Sequence, residues 1–185
     1  MKTFERLKHE FPVNWTTILV GWEGLGIISP WPDEWEKFPP LLGFDDVCKH
    51  CCDVLATTND SMEIDLIIDV LAFENKNPER ALIRHLLTSL SALKKHDKKF
   101  ELRKWRVIML GETLNKLQKD PLNDVLAINE FWMYFRHPQN SPMKIEGIEL
   151  NKYPEEFGTD SHLVRTVDAN KKWLKKEMRE IAELE

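Results

Sequence analysis

Apolar positions along this chain recur with the period of an α-helix, and the every-other-residue alternation of a strand is scarce. Residues Thr3 to Glu10 put Phe4 and Leu7 on one side, with Phe11 just beyond. Asn14 is a helix-capping residue, and after it Trp15, Ile18, Leu19 and Trp22 fall at i, i+3, i+4 and i+7 before Gly24, which can supply a left-handed stop. Ser29 with Pro30 resembles another start, but Pro32, Pro39 and Pro40 keep Trp31 to Gly43 to a loop or one brief helix. The next helix is predicted over Phe44 to Ala56, with Val47, Cys48, Cys51 and Leu55 on one stripe and Asp45 and Asp46 in the favourable first turn. Ser61 marks the start of a unit running to Phe73, with Glu63 and Asp65 close behind it.

Asn77 and Pro78 form a cap and first-turn pair for a helix reaching Leu93. Leu102 to Leu117 repeats the pattern through Trp105, Ile108 and Leu114. Asp120 and Pro121 open another helix, carried by Val125, Ile128, Phe131, Trp132 and Phe135 until Pro138. Residues 139–158 are rich in Pro and Gly, with Ile145, Ile148 and Leu150 alternating, so a short β-hairpin and an extended strap both fit. From Asp160 the chain reads as helix to its end, with an apolar stripe of Leu163, Val167, Trp173, Leu174, Met178 and Ile181. The lysines at 171, 172, 175 and 176 face Glu177, Glu180, Glu183 and Glu185 on what is expected to be a solvated side. The expectation is an all-α fold in one domain over residues 1–185, a layered helical bundle or a HEAT-like stack of helices, although no self-similarity of about 40 residues is present.

Composition supports a folded chain: 42% of the 185 residues are hydrophobic, and seven Trp and nine Phe can fill a sizeable core. The apolar run from Leu66 to Phe73 is broken by Asp69 and falls short of a membrane span, and the charged amino terminus has no signal-like apolar region. The expected address is the cytoplasm. Charge is unevenly placed. Residues 1–75 carry 5 basic and 14 acidic residues, a net −9, and the remainder 21 basic and 17 acidic, a net +4. Within the second part, Lys94 to Arg106 holds seven cations against Asp97 and Glu101, which is either a nucleic-acid patch or a lysine-rich solvated connection.

Three cysteines sit together at Cys48, Cys51 and Cys52, an odd number in one place, which reads as reduced thiols rather than a disulfide framework. Cys48 and Cys52 lie one helical turn apart and could share a zinc ion, but no second C-x-x-C exists to complete the ligand set. Their neighbours Asp45, Asp46 and Asp53 disfavour a reactive thiolate. No G-x-S-x-G elbow occurs, and the glycines at 21, 24 and 26 follow a helix rather than a strand, so no phosphate cradle is indicated. Adjacent carboxylates at Asp45/Asp46 and Glu155/Glu156 diverge on a helix. No catalytic residue, metal ligand or cofactor is therefore expected, and the chain is read as a non-enzyme.

Surface recognition is the remaining class. The acidic first third sets Trp31 and Trp35 among Asp33, Glu34 and Glu36 in a proline-rich stretch, a combination of aromatic anchors and steering charge that suits a protein interface. Trp15 and Trp22, seven residues apart, are assigned to the core. The residues from Asn14-Trp15 through Ile18 to Gly21-Trp22, then Gly26 to Ser29, Lys104-Trp105, Asp120-Pro121-Leu122 and Phe131-Trp132 through Tyr134-Phe135 to Pro138, carry a resemblance. They resemble a small uncharacterised family of bacterial helical proteins, in which a Trp-x-x-Ile-x-x-Gly helix opens the domain and an Asp-Pro-Leu helix precedes an aromatic and proline turn. The similarity spans Phe11 to Ile145, with the proline-rich Trp31 to Gly43 stretch and the last helix as departures from it. Such proteins resemble immunity proteins of polymorphic or contact-dependent toxin systems. The resemblance thus implies a partner, a cognate toxin domain such as a basic nuclease, and the acidic, aromatic composition of the first third makes Trp31, Asp33, Glu34, Trp35 and Glu36 the expected contacts. A nucleic-acid-binding protein or small helical enzyme using residues 94–106 is the alternative.

Overall fold

The computed structural model describes residues 3–24, 40–74, 78–142 and 158–185. Among them are eight α-helices and no strand, and the chain divides into two compact units, Met1–Trp105 and Arg106–Glu185. The all-α expectation therefore holds. Most of the span considered for a hairpin or strap, residues 143–157, lies outside the described residues.

The first unit contains α1 (Thr3–Glu10), α2 (Trp15–Glu23), α3 (Phe44–Leu55), α4 (Ser61–Leu71), α5 (Arg80–Leu93) and the opening turns of α6 (Lys98–Asn115). Helix α2 is its axis and is buried along its whole length. Asn14 caps it: its side chain accepts from the Thr17 backbone N–H, and the Thr17 hydroxyl accepts from Asn14 N–H, so two otherwise orphaned donors are satisfied reciprocally. Gly24 ends it at φ 58°, a left-handed φ that a β-carbon disfavours. Helix α2 packs on α5, α5 on α4 and α4 on α3. Trp105 fills the space beside α2, stacked on Phe4 at 6.3 Å with its Nε1 donating to Thr17 O at 2.9 Å. Gly21 makes that approach possible, because a β-carbon there would lie 2.4 Å from both Trp105 Cζ2 and Leu42 Cδ2.

A charged cluster is closed inside this unit. Glu101 accepts from Asn14 Nδ2 at 2.9 Å and Thr17 Oγ1 at 2.6 Å and pairs with Lys104 at 3.1 Å, while Lys104 also donates to Pro12 O at 3.1 Å. Both charges are almost wholly buried, and their mutual pairing together with the hydrogen bonds to Asn14, Thr17 and Pro12 supplies the compensation such burial requires. Several helix starts differ from the expectation. Asp60 rather than Ser61 caps α4, accepting from Met62 and Glu63 N–H. Helix α5 begins at Arg80 with no side-chain cap, two residues beyond Pro78, and Asn77 lies outside the described residues. Helix α6 begins four residues early because the Asp97 carboxylate accepts from Lys99 N–H and its carbonyl from Glu101 N–H.

The second unit holds the rest of α6, α7 (Pro121–Tyr134) and α8 (Asp160–Leu184), with α7 packed on α8. Asp120 caps α7 ahead of Pro121 as expected. Asp124 is buried because its two oxygens accept from Gln118 and Lys119 N–H, holding a turn in which Lys119 has φ 66°. Trp132 meets Trp173 edge to face at 4.9 Å and donates from Nε1 to Asn170 Oδ1 at 2.7 Å, while Asn170 donates to Thr166 O. The buried stripe of α8 is thus Thr166, Asn170, Trp173, Glu177 and Ile181. Glu177, expected on the solvated side, is buried and accepts from Asn140. Thr159, one residue before Asp160, is the cap.

Candidate functional site

The expected contact residues Trp31, Asp33, Glu34, Trp35 and Glu36 lie outside the described residues. The described chain ends at Gly24 before them and resumes at Pro40 after them. At the end of α2, Arg80 Nη2 donates to Trp22 O and Glu23 O, and Trp22 Nε1 donates back to Arg80 O. Buried Glu23 pairs with Arg84 at 2.9 Å and Lys98 at 3.7 Å. On the other side, Leu41 and Leu42 N–H donate to Gly21 O. The departure at Gly24 and the return at Leu41 are therefore tied to the same last turn of α2.

The carboxylates of the acidic first part separate into two sets. Glu23 and Glu63 are internal, Glu63 accepting from Trp15 Nε1 at 2.6 Å and from the Thr58 hydroxyl. Asp60 is spent as a cap, Asp46 accepts from Gly43 N–H at the start of α3, and Asp53 pairs with Lys8 at 2.6 Å. Asp45, Asp65, Asp69 and Glu74 are exposed on or beside α3 and α4 and make no ion pair among the described residues.

Helix α4 concentrates this exposed set. At 100° per residue, Met62, Asp65, Ile68, Asp69 and Ala72 share an outward arc of about 120°, opposite buried Glu63, Ile67 and Val70. Met62 and Ile68 keep 61% and 53% of their surface in solvent, and Leu82 is exposed on the adjoining α5. The sequence reading places the start and extent of α4 and assigns it no inward or outward face. The available signal was that Met62 and Ile68 fall on the arc of Asp65 and Asp69, while the polar Glu63 falls opposite. On α7, Leu122, Leu126 and Met133 form a second exposed apolar line.

The basic stretch is reduced by folding. Lys104 and Arg106 are buried, the first inside the Glu101 cluster and the second with its guanidinium 5.5 Å from the Phe135 ring. Lys98 reaches Glu23, and Arg103 lies over Phe100. Lys94, Lys95 and Lys99 remain exposed.

The thiols differ from one another. Cys48 and Cys51, on the apolar stripe of α3, are buried, whereas Cys52 is exposed. Burial, aided by Glu74 and Asp45, pushes the Cys48 thiol up to about 11, and burial together with the other two cysteines pushes Cys51 to about 12, so both are held as neutral thiols. His50 is buried as well, its ring edge-on to Trp15 at 4.8 Å and to Phe4 at 6.4 Å. Burial, reinforced by the Lys8 charge, lowers it to about 4 and keeps the imidazole neutral. No group of three His, Cys, Asp or Glu able to hold a metal ion occurs among the described residues, and no helix there is long and apolar enough to cross a membrane.

A family model described as an uncharacterised protein conserved in bacteria, DUF2247, matches residues 4–178. The chain belongs to this family. The DUF2247 match extends past Ile145 and through most of α8, so the last helix is part of the family region rather than a departure from it. It also takes in Trp15, Ile18 and Gly21, the helix in which Gly21 admits Trp105. No curated protein and no solved structure matches this DUF2247 chain.

Proposed function

We propose that this protein is a neutralising partner of a basic bacterial toxin domain, acting by binding and occlusion. The observation that carries this reading is the sorting of the carboxylates in the first unit. Glu23, Glu63, Asp46, Asp53 and Asp60 are engaged in holding the fold, and four others stand exposed on or beside α3 and α4 with no ion pair among the described residues, two of them, Asp65 and Asp69, on the same arc as exposed Met62 and Ile68. Unpaired exposed acids raise the rate of encounter with a cationic surface, and adjacent apolar side chains supply the desolvated contact that holds it. The alternative of a nucleic-acid site is weakened by the burial of Lys104 and Arg106, which removes two of the seven cations it would use.

The test is titration of the purified chain with the polypeptide encoded beside its gene, prepared in an inactive form. A one-to-one complex whose association slows as salt rises is expected, because exposed charges are screened beyond about 8 Å at physiological ionic strength. Absence of a complex, or binding of the chain to duplex DNA or RNA instead, overturns the reading.

A further inference from the structure

We infer that the outer face of α4 is the docking surface itself, and that its occupant is a cationic amphipathic segment of the partner, with apolar side chains set between lysines or arginines. This rests on the binding role proposed above. The face is continuous: Met62, Asp65, Ile68, Asp69 and Ala72 follow one another around a single arc. It alternates two large exposed apolar side chains with two carboxylates that have no ion-pair partner among the described residues. An apolar contact alone would select no partner, and carboxylates alone would hold none. Together they select for positive charge and exclude an acidic surface by like-charge juxtaposition. Helix α4 is also firmly set, capped by Asp60 and pinned from beneath by Glu63, which accepts from Trp15 in the core, so the face is preorganised. Leu82 on the adjoining α5 extends the apolar ground. The line of Leu122, Leu126 and Met133 on α7 has no comparable pair of unpaired charges to specify what would cover it.

The probe is a fluorescein-labelled helical peptide made only of leucine and lysine in an amphipathic order, with its leucine and glutamate counterpart as control. Fluorescence anisotropy is read against the full chain at about 50 mM salt, where the Debye length exceeds 10 Å. The wild type is expected to bind the lysine peptide and not the glutamate peptide. Asp65→Lys with Asp69→Lys should weaken binding by about tenfold or more, and Met62→Ser with Ile68→Ser, which leaves charge unchanged, by about fivefold. Glu180→Lys with Glu183→Lys on α8 reverses the same amount of charge elsewhere and should change binding less than about twofold. All substituted side chains are at least partly solvent-facing, and circular dichroism verifies that each variant keeps its helices. Failure of the wild type to bind the lysine peptide, or equal loss from the α4 and α8 reversals, overturns the assignment. Self-association of the wild type that Ile68→Ser abolishes would make the face a contact between copies and overturn it too. A positive peptide result with no complex in the titration proposed above would remove the toxin reading and leave the cationic docking face. A complex with the toxin that the α4 variants do not weaken would do the reverse.

Discussion

Replacing Gly21 by alanine tests the packing on which the first unit rests. The added β-carbon would lie 2.4 Å from Leu42 Cδ2, 2.4 Å from Trp105 Cζ2 and 2.9 Å from Trp105 Cε2, against an ordinary contact of 3.4–4 Å. Leu42 can turn its terminal methyl aside, but Trp105 is fully buried, stacked on Phe4 and tied by Nε1 to Thr17 O. The indole must therefore move by about 1 Å, which costs about 2–3 kcal/mol as overpacking and about 1 kcal/mol for the weakened hydrogen bond. Exchanging glycine for alanine inside a helix returns about 1 kcal/mol. The net expectation is a loss of about 2–3 kcal/mol, read as a lower urea midpoint with an unchanged slope, because the same surface is exposed on unfolding. Gly43→Ala is the control, since a β-carbon there meets only Asp46 Oδ2 at 3.8 Å, and it should cost about 0.5 kcal/mol as a changed cap. If Gly21→Ala left the midpoint unchanged or raised it, as helix propensity alone would, the close approach of α2 and Trp105 would be refuted.

Acid should destabilise the protein through His50. Its folded value of about 4 lies below its ordinary 6.5, so the contribution is present above pH 6.5 and is lost as pH falls from 6.5 towards 4. About 2 kcal/mol should disappear between pH 7 and pH 5 in urea titrations, and His50→Leu should remove that part of the pH dependence. Glu101→Ala should cost about 3–5 kcal/mol by removing the buried carboxylate that faces Lys104 and accepts from Asn14 and Thr17, and Glu101→Ala combined with Lys104→Met should recover part of it in a double-mutant cycle. An aromatic disulfide reagent should label Cys52 quickly and Cys48 and Cys51 only on unfolding. Rapid labelling of all three would contradict the raised thiol values of the buried pair.

Local signals made much of the fold legible. Asn14 with Gly24, and Asp120 with Pro121, bracket helices because caps and stops act on backbone groups within a turn of themselves. Where two cap-competent residues stand together, as Asp60 with Ser61 or Thr159 with Asp160, the choice depends on the direction from which the chain arrives, which local composition does not contain. Burial of charge was the least legible feature. Glu101 is internal because Asn14, 87 positions away, and Thr17, 84 away, turn donors towards it, and Glu63 because Trp15 does so across 48 positions. Helix periodicity marks a charged position as outward, and only long-range partners reverse that assignment. The same blindness hid the α4 face, where Met62 and Ile68 are apolar yet outward because the inward arc is already filled by Glu63, Ile67 and Val70. The contact residues expected at Trp31 to Glu36 came from composition, and the described structure supplies instead the anchored turn of α2 on either side of them.

The central claim, that an acidic and apolar surface of this DUF2247 protein neutralises a basic toxin domain, is tested most directly by survival of cells co-expressing the polypeptide encoded beside its gene. The account predicts growth with the wild-type chain and with Glu180→Lys/Glu183→Lys, and loss of growth with Asp65→Lys/Asp69→Lys accumulated to the same level. Death of cells carrying the wild-type chain, or equal protection by all three, would contradict it.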